Sequence, residues 1–127
     1  MFSGRPEEVR KARNLARTLL AGTGYEDDAA LVVTELADNA LLHTRSGAEG
    51  GVFGVEVSAG RSGVRIAVAD QGAESELEWE NSGPLAECGR GLFIVGQIAA
   101  SHGMHGSADR GHTVWAVLQA PEPEGRG

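Results

Sequence analysis

Apolar positions fall first into two helical stretches. Val9, Ala12, Ala16, Leu19 and Leu20 recur at three- and four-residue spacing behind Pro6, a residue suited to a first helical turn. Glu7 and Glu8 stand at the positive end of this helix, and Gly22 and Gly24 close it. A second helix is predicted from Glu26, Asp27 and Asp28 to about Thr44, where Ser46 and Gly47 break the pattern. It is apolar almost throughout, which implies burial on most of its circumference. Two short runs rich in β-branched residues follow, Val52 to Ser58 and Val64 to Asp70, with Gly60 to Gly63 as the hairpin turn between them.

From Ala73 to Cys88 the pattern dissolves into acidic and small residues, with Pro84 near the end, and reads as a mobile loop. A third helix is predicted from the pair Gly89 and Gly91 through Leu92, Ile94, Val95 and Ile98 to about Ser101. The last strand is His112 to Leu118, and a short strand from Met104 to Ser107 completes a four-stranded sheet. Hairpin-linked strands grouped between helices predict an α+β two-layer sandwich, a mostly antiparallel sheet with helices on one face. Residues 1–120 form one domain in this reading, and the stretch from Pro121 to Gly127 is a flexible tail.

Composition narrows the function classes. A chain of 127 residues has room for one core, and its net charge of -7 argues against a nucleic-acid partner, which normally meets a basic face. The run Arg10, Lys11, Arg13 and Arg17 reads as the solvated side of the first helix. The longest apolar stretch, Leu92 to Ala100, is interrupted by Gly96 and Gln97 and is too short to span a bilayer. The first residues have no secretory pattern, and the lone Cys88 cannot close an internal disulfide, so the expected location is cytoplasmic.

Three features exceed what a scaffold needs. Glu35, Asp38 and Asn39 interrupt the apolar second helix; Glu35 and Asn39 are four apart and share a face that His43 continues. A carboxylate and an amide are costly to bury unpartnered, and a hard cation would supply a partner. An exposed polar stripe on a half-buried helix would show the same spacing. Asp70-Gln71-Gly72 ends a strand: the carboxylate can accept from an exocyclic amine, and the glycine lets backbone approach a flat ring. An ordinary Asp-x-Gly turn has the same residues. Gly89-Arg90-Gly91-Leu92 opens a helix, where free N–H groups and Arg90 suit an anion. It is neither a Walker A loop nor a full dinucleotide fingerprint. His102, His105, His112 and Asp109 match no common zinc spacing, and Cys88 lacks the motifs of a nucleophile site.

Taken in order, these motifs resemble the N box and the two glycine boxes of the GHKL (histidine-kinase-like, Bergerat-fold) ATPases. The likeness is carried by Glu35-Leu-Ala-Asp-Asn39-Ala-Leu-Leu-His43-Thr, Val68-Ala-Asp70-Gln-Gly72, Gly89-Arg-Gly91-Leu92-Phe-Ile-Val and Gly111-His-Thr113-Val-Trp. Within that superfamily the chain looks most like stand-alone bacterial anti-sigma serine/threonine kinases. The resemblance implies that Asn39 holds Mg²⁺ bridging the phosphates of ATP, and that Glu35 is the base for the attacking hydroxyl. It implies that Asp70 accepts from the adenine amino group with Thr113 nearby, that Gly72 lets adenine pack close, and that Gly89 and Gly91, with Arg90 and Leu92, frame the phosphates. It further implies a lid over residues 73–88, an anti-anti-sigma-type protein or a sigma factor as partner, and a possible homodimer. That lid would carry Glu74, Glu76, Glu78, Glu80 and Glu87 and no Lys or Arg before Arg90, a charge that opposes a triphosphate unless Mg²⁺ screens it.

Overall fold

A computed structural model of the chain describes residues 1–61, 63–72, 90–107 and 109–119. The predicted loop over 73–88, Gly89 and the tail from Pro121 lie outside the described residues. The described part is a five-stranded antiparallel sheet with its helices on one side. In chain order the elements are β1 (Phe2–Ser3), α1 (Pro6–Leu19), α2 (Glu26–His43), β2 (Val52–Gly60), β3 (Gly63–Ala69), α3 (Arg90–Ile98), β4 (Ser101–Ser107) and β5 (Gly111–Leu118). A single 3-10 turn, Arg45–Gly47, follows α2.

α1 starts as its sequence requires, with Pro6 in the first turn, Glu7 and Glu8 at the positive end and Arg17 in the last turn. Its buried face is Val9, Ala12 and Ala16, and it lies along α2. α2 is the centre of the molecule. Ala29, Ala30, Val32, Val33, Leu36, Ala37 and Ala40 are all buried on one side. Leu31, Asp38 and Leu42 on the other are exposed, so the helix is half-buried and not, as its apolar composition predicts, buried on most of its circumference. It packs against α1, α3 and the sheet. Each valine or leucine so buried stabilises the fold by about 1.5–3 kcal/mol, enough together to hold polar groups on the same helix in poor surroundings.

The strand order is β1-β2-β3-β5-β4, every pair antiparallel. Period-two burial is cleanest in β5, where His112, Val114, Ala116 and Leu118 face the helices and the residues between them face the other way. β3 matches it with Val64, Ile66 and Val68.

Three boundaries differ from the sequence reading. A fifth strand, β1, joins the sheet edge by pairing Phe2 with Phe53, whose rings stack at 5.4 Å. Two residues are too short to carry a periodic signal. α3 ends at Ile98 and β4 already begins at Ser101, three residues before Met104. Its first residues, Ser101-His102-Gly103, have no apolar alternation, and the backbone ladder to β5 recruits them.

Candidate functional site

α2 delivers two polar side chains one turn apart. Asn39 is buried, and its Nδ2 has no hydrogen-bond partner among the described residues. Leaving an amide so costs about 1–3 kcal/mol, an expense that a core position does not normally carry. Glu35 is half-buried, and burial pushes its carboxyl above the usual carboxylate range, with the neighbouring charge of Asp38 adding to the rise. A carboxyl with raised proton affinity is a better base than a solvated one. Asp38 is exposed. His43 is the last residue of α2.

The facing wall comes from the end of β3. The Asp70 side chain is only 5% exposed. Its Oδ1 accepts from Gly72 N–H at 2.7 Å and from His112 N–H at 3.0 Å. The Asp70 N–H in turn donates to the His112 carbonyl at 2.8 Å. Gly72 is in the left-handed region at φ 86, the conformation that lets its N–H turn back onto the carboxylate. Oδ1 thus makes the Asp-x-Gly turn, and Oδ2 takes no part in it.

Asn39 and Asp70 line one small cavity of about 10 Å³, with Thr44 as a further polar wall and Leu36, Ala40, Val68 and Val114 as apolar ones. That volume is about one water molecule. A carboxylate and an amide thus face one small space between apolar sides.

Thr113 does not join this group. It is one residue out of phase with Asp70 and faces the helix-free side of the sheet, where it lines an open trough with Gly54, Ala69 and His105. The helix-facing position beside Asp70 belongs to His112, whose Nδ1 is 3.9 Å from Asp70 Oδ1 and whose side chain is 4% exposed. The two-residue period of β5 thus puts Thr113 next to His112 in the strand but on the opposite face of the sheet. His112 was detectable in the sequence as the one polar residue in phase with Val114, Ala116 and Leu118.

Arg90, Gly91 and Leu92 form the first turn of α3, and Gly89 lies outside the described residues. Among the described residues no group of three histidine, cysteine or acidic side chains could hold a metal ion. No described helix is long and apolar enough to cross a membrane.

The site continues past Asp70 into residues with no motif to mark them. Ser46 is fully buried and its Oγ accepts from Gln71 N–H at 3.0 Å, while Arg45 N–H donates to the Gly72 carbonyl at 2.7 Å. In the sequence Ser46 carried only the signal of a helix breaker.

The donor set fits a magnesium nucleotide. Asn39 offers a buried amide oxygen whose own nitrogen is unpartnered, and Asp70 keeps one carboxylate oxygen clear of its turn. No curated protein matches the chain. The family model of the histidine kinase-like ATPase domain matches residues 2–118, from the first strand to the last. A buried amide on the central helix facing a strand-end aspartate, within a match of that extent, identifies the chain as a member of the histidine kinase-like ATPase family, a fold for binding ATP.

Proposed function

We propose that the chain is a cytoplasmic, Mg-ATP-dependent serine/threonine protein kinase of the anti-sigma type. It phosphorylates a small anti-anti-sigma-type partner and so controls transcription by partner switching. The observation that supports this reading best is the pair on α2: Glu35, with raised proton affinity, one turn from Asn39 with its unpaired buried amide. Asp70 accepts the adenine amino group, and Gly72 lets the ring lie against backbone. Gly89, Arg90, Gly91 and Leu92 frame the phosphates at the start of α3. Mg²⁺ held by Asn39 supplies charge neutralisation for the phosphates. Glu35 takes the proton from the partner's hydroxyl.

A second reading is a nucleotide-gated module that sequesters a sigma factor without phosphoryl transfer. The run Glu74, Glu76, Glu78, Glu80 and Glu87 favours it, because that charge disfavours a transferring phosphate.

Calorimetric titration of Mg-ATP into the wild type and Asp70→Asn tests the shared part. Saturable binding that falls at least tenfold in the variant supports the adenine site, a loss in keeping with one charge-assisted bond. Wild-type protein that is folded and takes no ATP overturns both readings. Incubation with labelled ATP and an anti-anti-sigma-type protein then separates them. Labelled partner that disappears with Glu35→Ala marks the kinase, and ATP-dependent binding without label marks the sequestering module.

A further inference from the structure

The turn that carries Asp70 is bonded to the end of α2 by groups outside the site itself. Thr44 Oγ1 donates to the Ala40 carbonyl at 2.6 Å and accepts from Ser46 N–H at 3.0 Å. Ser46 Oγ accepts from Gln71 N–H, and Arg45 N–H donates to the Gly72 carbonyl. Gln71 closes the arrangement from the other side, where its Oε1 accepts from Val52 N–H at 2.8 Å. An unbroken series of short bonds thus runs from the turn of α2 holding Asn39 to the glycine that shapes the Asp70 turn. The backbone around it is closely packed. A Cβ on Gly51 would strike the Ser46 and Arg45 carbonyl oxygens, and one on Gly47 would strike the Leu41 carbonyl.

Gln71 is exposed, so neither burial nor solvation requires its side chain to have a protein partner. Its bond to a residue 19 positions earlier fixes the turn without adding to the core. Ser46 spends a buried hydroxyl on the same turn.

We propose that Ser46 and Gln71 are positioning residues of the nucleotide site. They hold the Asp70–Gly72 turn at a set distance from α2, and so set the width of the slot that reads the base. The role rests on the nucleotide reading above. A fixed slot selects an amino group at Asp70 over a carbonyl. A loosened slot loses that selection before it loses the fold.

The test compares ATP, adenosine and GTP titrations on the wild type, Gln71→Leu, Gln71→Glu and Ser46→Ala, with urea midpoints for each. Gln71→Leu is expected to weaken ATP and adenosine alike by about 3- to 10-fold, the worth of one net hydrogen bond. GTP binding is expected to change little, so the ATP/GTP ratio falls while the urea midpoint drops by no more than the worth of that one bond. Gln71→Glu keeps an acceptor for Val52 and restores the ratio. Amide exchange without nucleotide should quicken at Val52 and Arg45 in Gln71→Leu and Ser46→Ala. An unchanged ATP/GTP ratio in folded Gln71→Leu, or unchanged exchange at those amides, overturns the positioning role while leaving ATP binding in place. A folded wild type that binds no adenine nucleotide instead removes the nucleotide reading, and the positioning role with it.

Discussion

His112 and Asp70 are joined by two hydrogen bonds, one from the Asp70 N–H to the His112 carbonyl and one from the His112 N–H to Asp70 Oδ1. The imidazole Nδ1 lies 3.9 Å from that same oxygen, buried on the helix side of the sheet. The carboxylate is therefore oriented by backbone and walled by an aromatic ring. Neither contact depends on Thr113, which points to the opposite face.

That difference in face separates two adjacent residues by experiment. Thr113→Val is expected to leave ATP affinity within about twofold of the wild type, less than the worth of one net hydrogen bond. His112→Ala, which removes a buried ring, is expected to cost about 1–3 kcal/mol of stability and to weaken ATP binding about tenfold. Calorimetry with paired urea melts reads both. A large loss in Thr113→Val with none in His112→Ala would mean that the base is read from the other side of the sheet.

Glu35 gives a prediction in which stability and activity move in opposite directions. Burial and the Asp38 charge raise its carboxyl above the usual carboxylate range, so the folded protein holds this proton more tightly than the unfolded chain. Such a group favours the fold fully below its unfolded value, and that contribution is lost as pH rises through the folded one. Glu35→Gln removes the ionisation. The variant should match the wild type near pH 4 and be more stable at pH 7, seen as a higher urea midpoint at pH 7 alone. Phosphoryl transfer in the same variant should fall about 100-fold or more, the usual worth of a positioned base. A midpoint difference that is the same at both pH values would remove the assigned cause of the shift.

The third prediction concerns the sheet edge. Gly4 donates its N–H to the Gly51 carbonyl at 2.8 Å, and a Cβ on Gly4 would fall on the Ser46 carbonyl oxygen. That neighbour is backbone and cannot rotate away. Gly4→Ala should destabilise the fold by about 1–3 kcal/mol, in line with overpacking, and free β1 from the edge. Chemical denaturation measures the first effect and amide exchange at Phe53 the second. An unchanged melt would show that the segment moves aside without cost.

The sequence made α1, α2 and the β2–β3 hairpin legible because each has a regular apolar period and clear end signals. Pro6 opens α1, Glu26 to Asp28 open α2, and Gly63 turns the hairpin. Asn39 and Asp70 were legible as misfits, one in an apolar helix and one at a strand end. What stayed hidden depends on backbone alone. β1 is two residues held by a ladder, and the start of β4 is Ser-His-Gly, with nothing to alternate. Ser46 and Gln71 act through main-chain donors of each other's segments, which no spacing within one segment reveals. Motif spacing located Thr113 along the last strand and left its face to the strand's register.

α2 joins the core and the candidate site in one element, with one side committed to packing and Glu35 and Asn39 at its border. These two residues oppose the fold, since Glu35 resists ionising and Asn39 leaves a buried amide unpaired. An apolar or neutral replacement there relieves the helix, whereas truncation on the buried side opens the core. Where selection on this site is relaxed, replacements at Glu35 and Asn39 therefore come with a gain in robustness, and the folded domain outlasts its site.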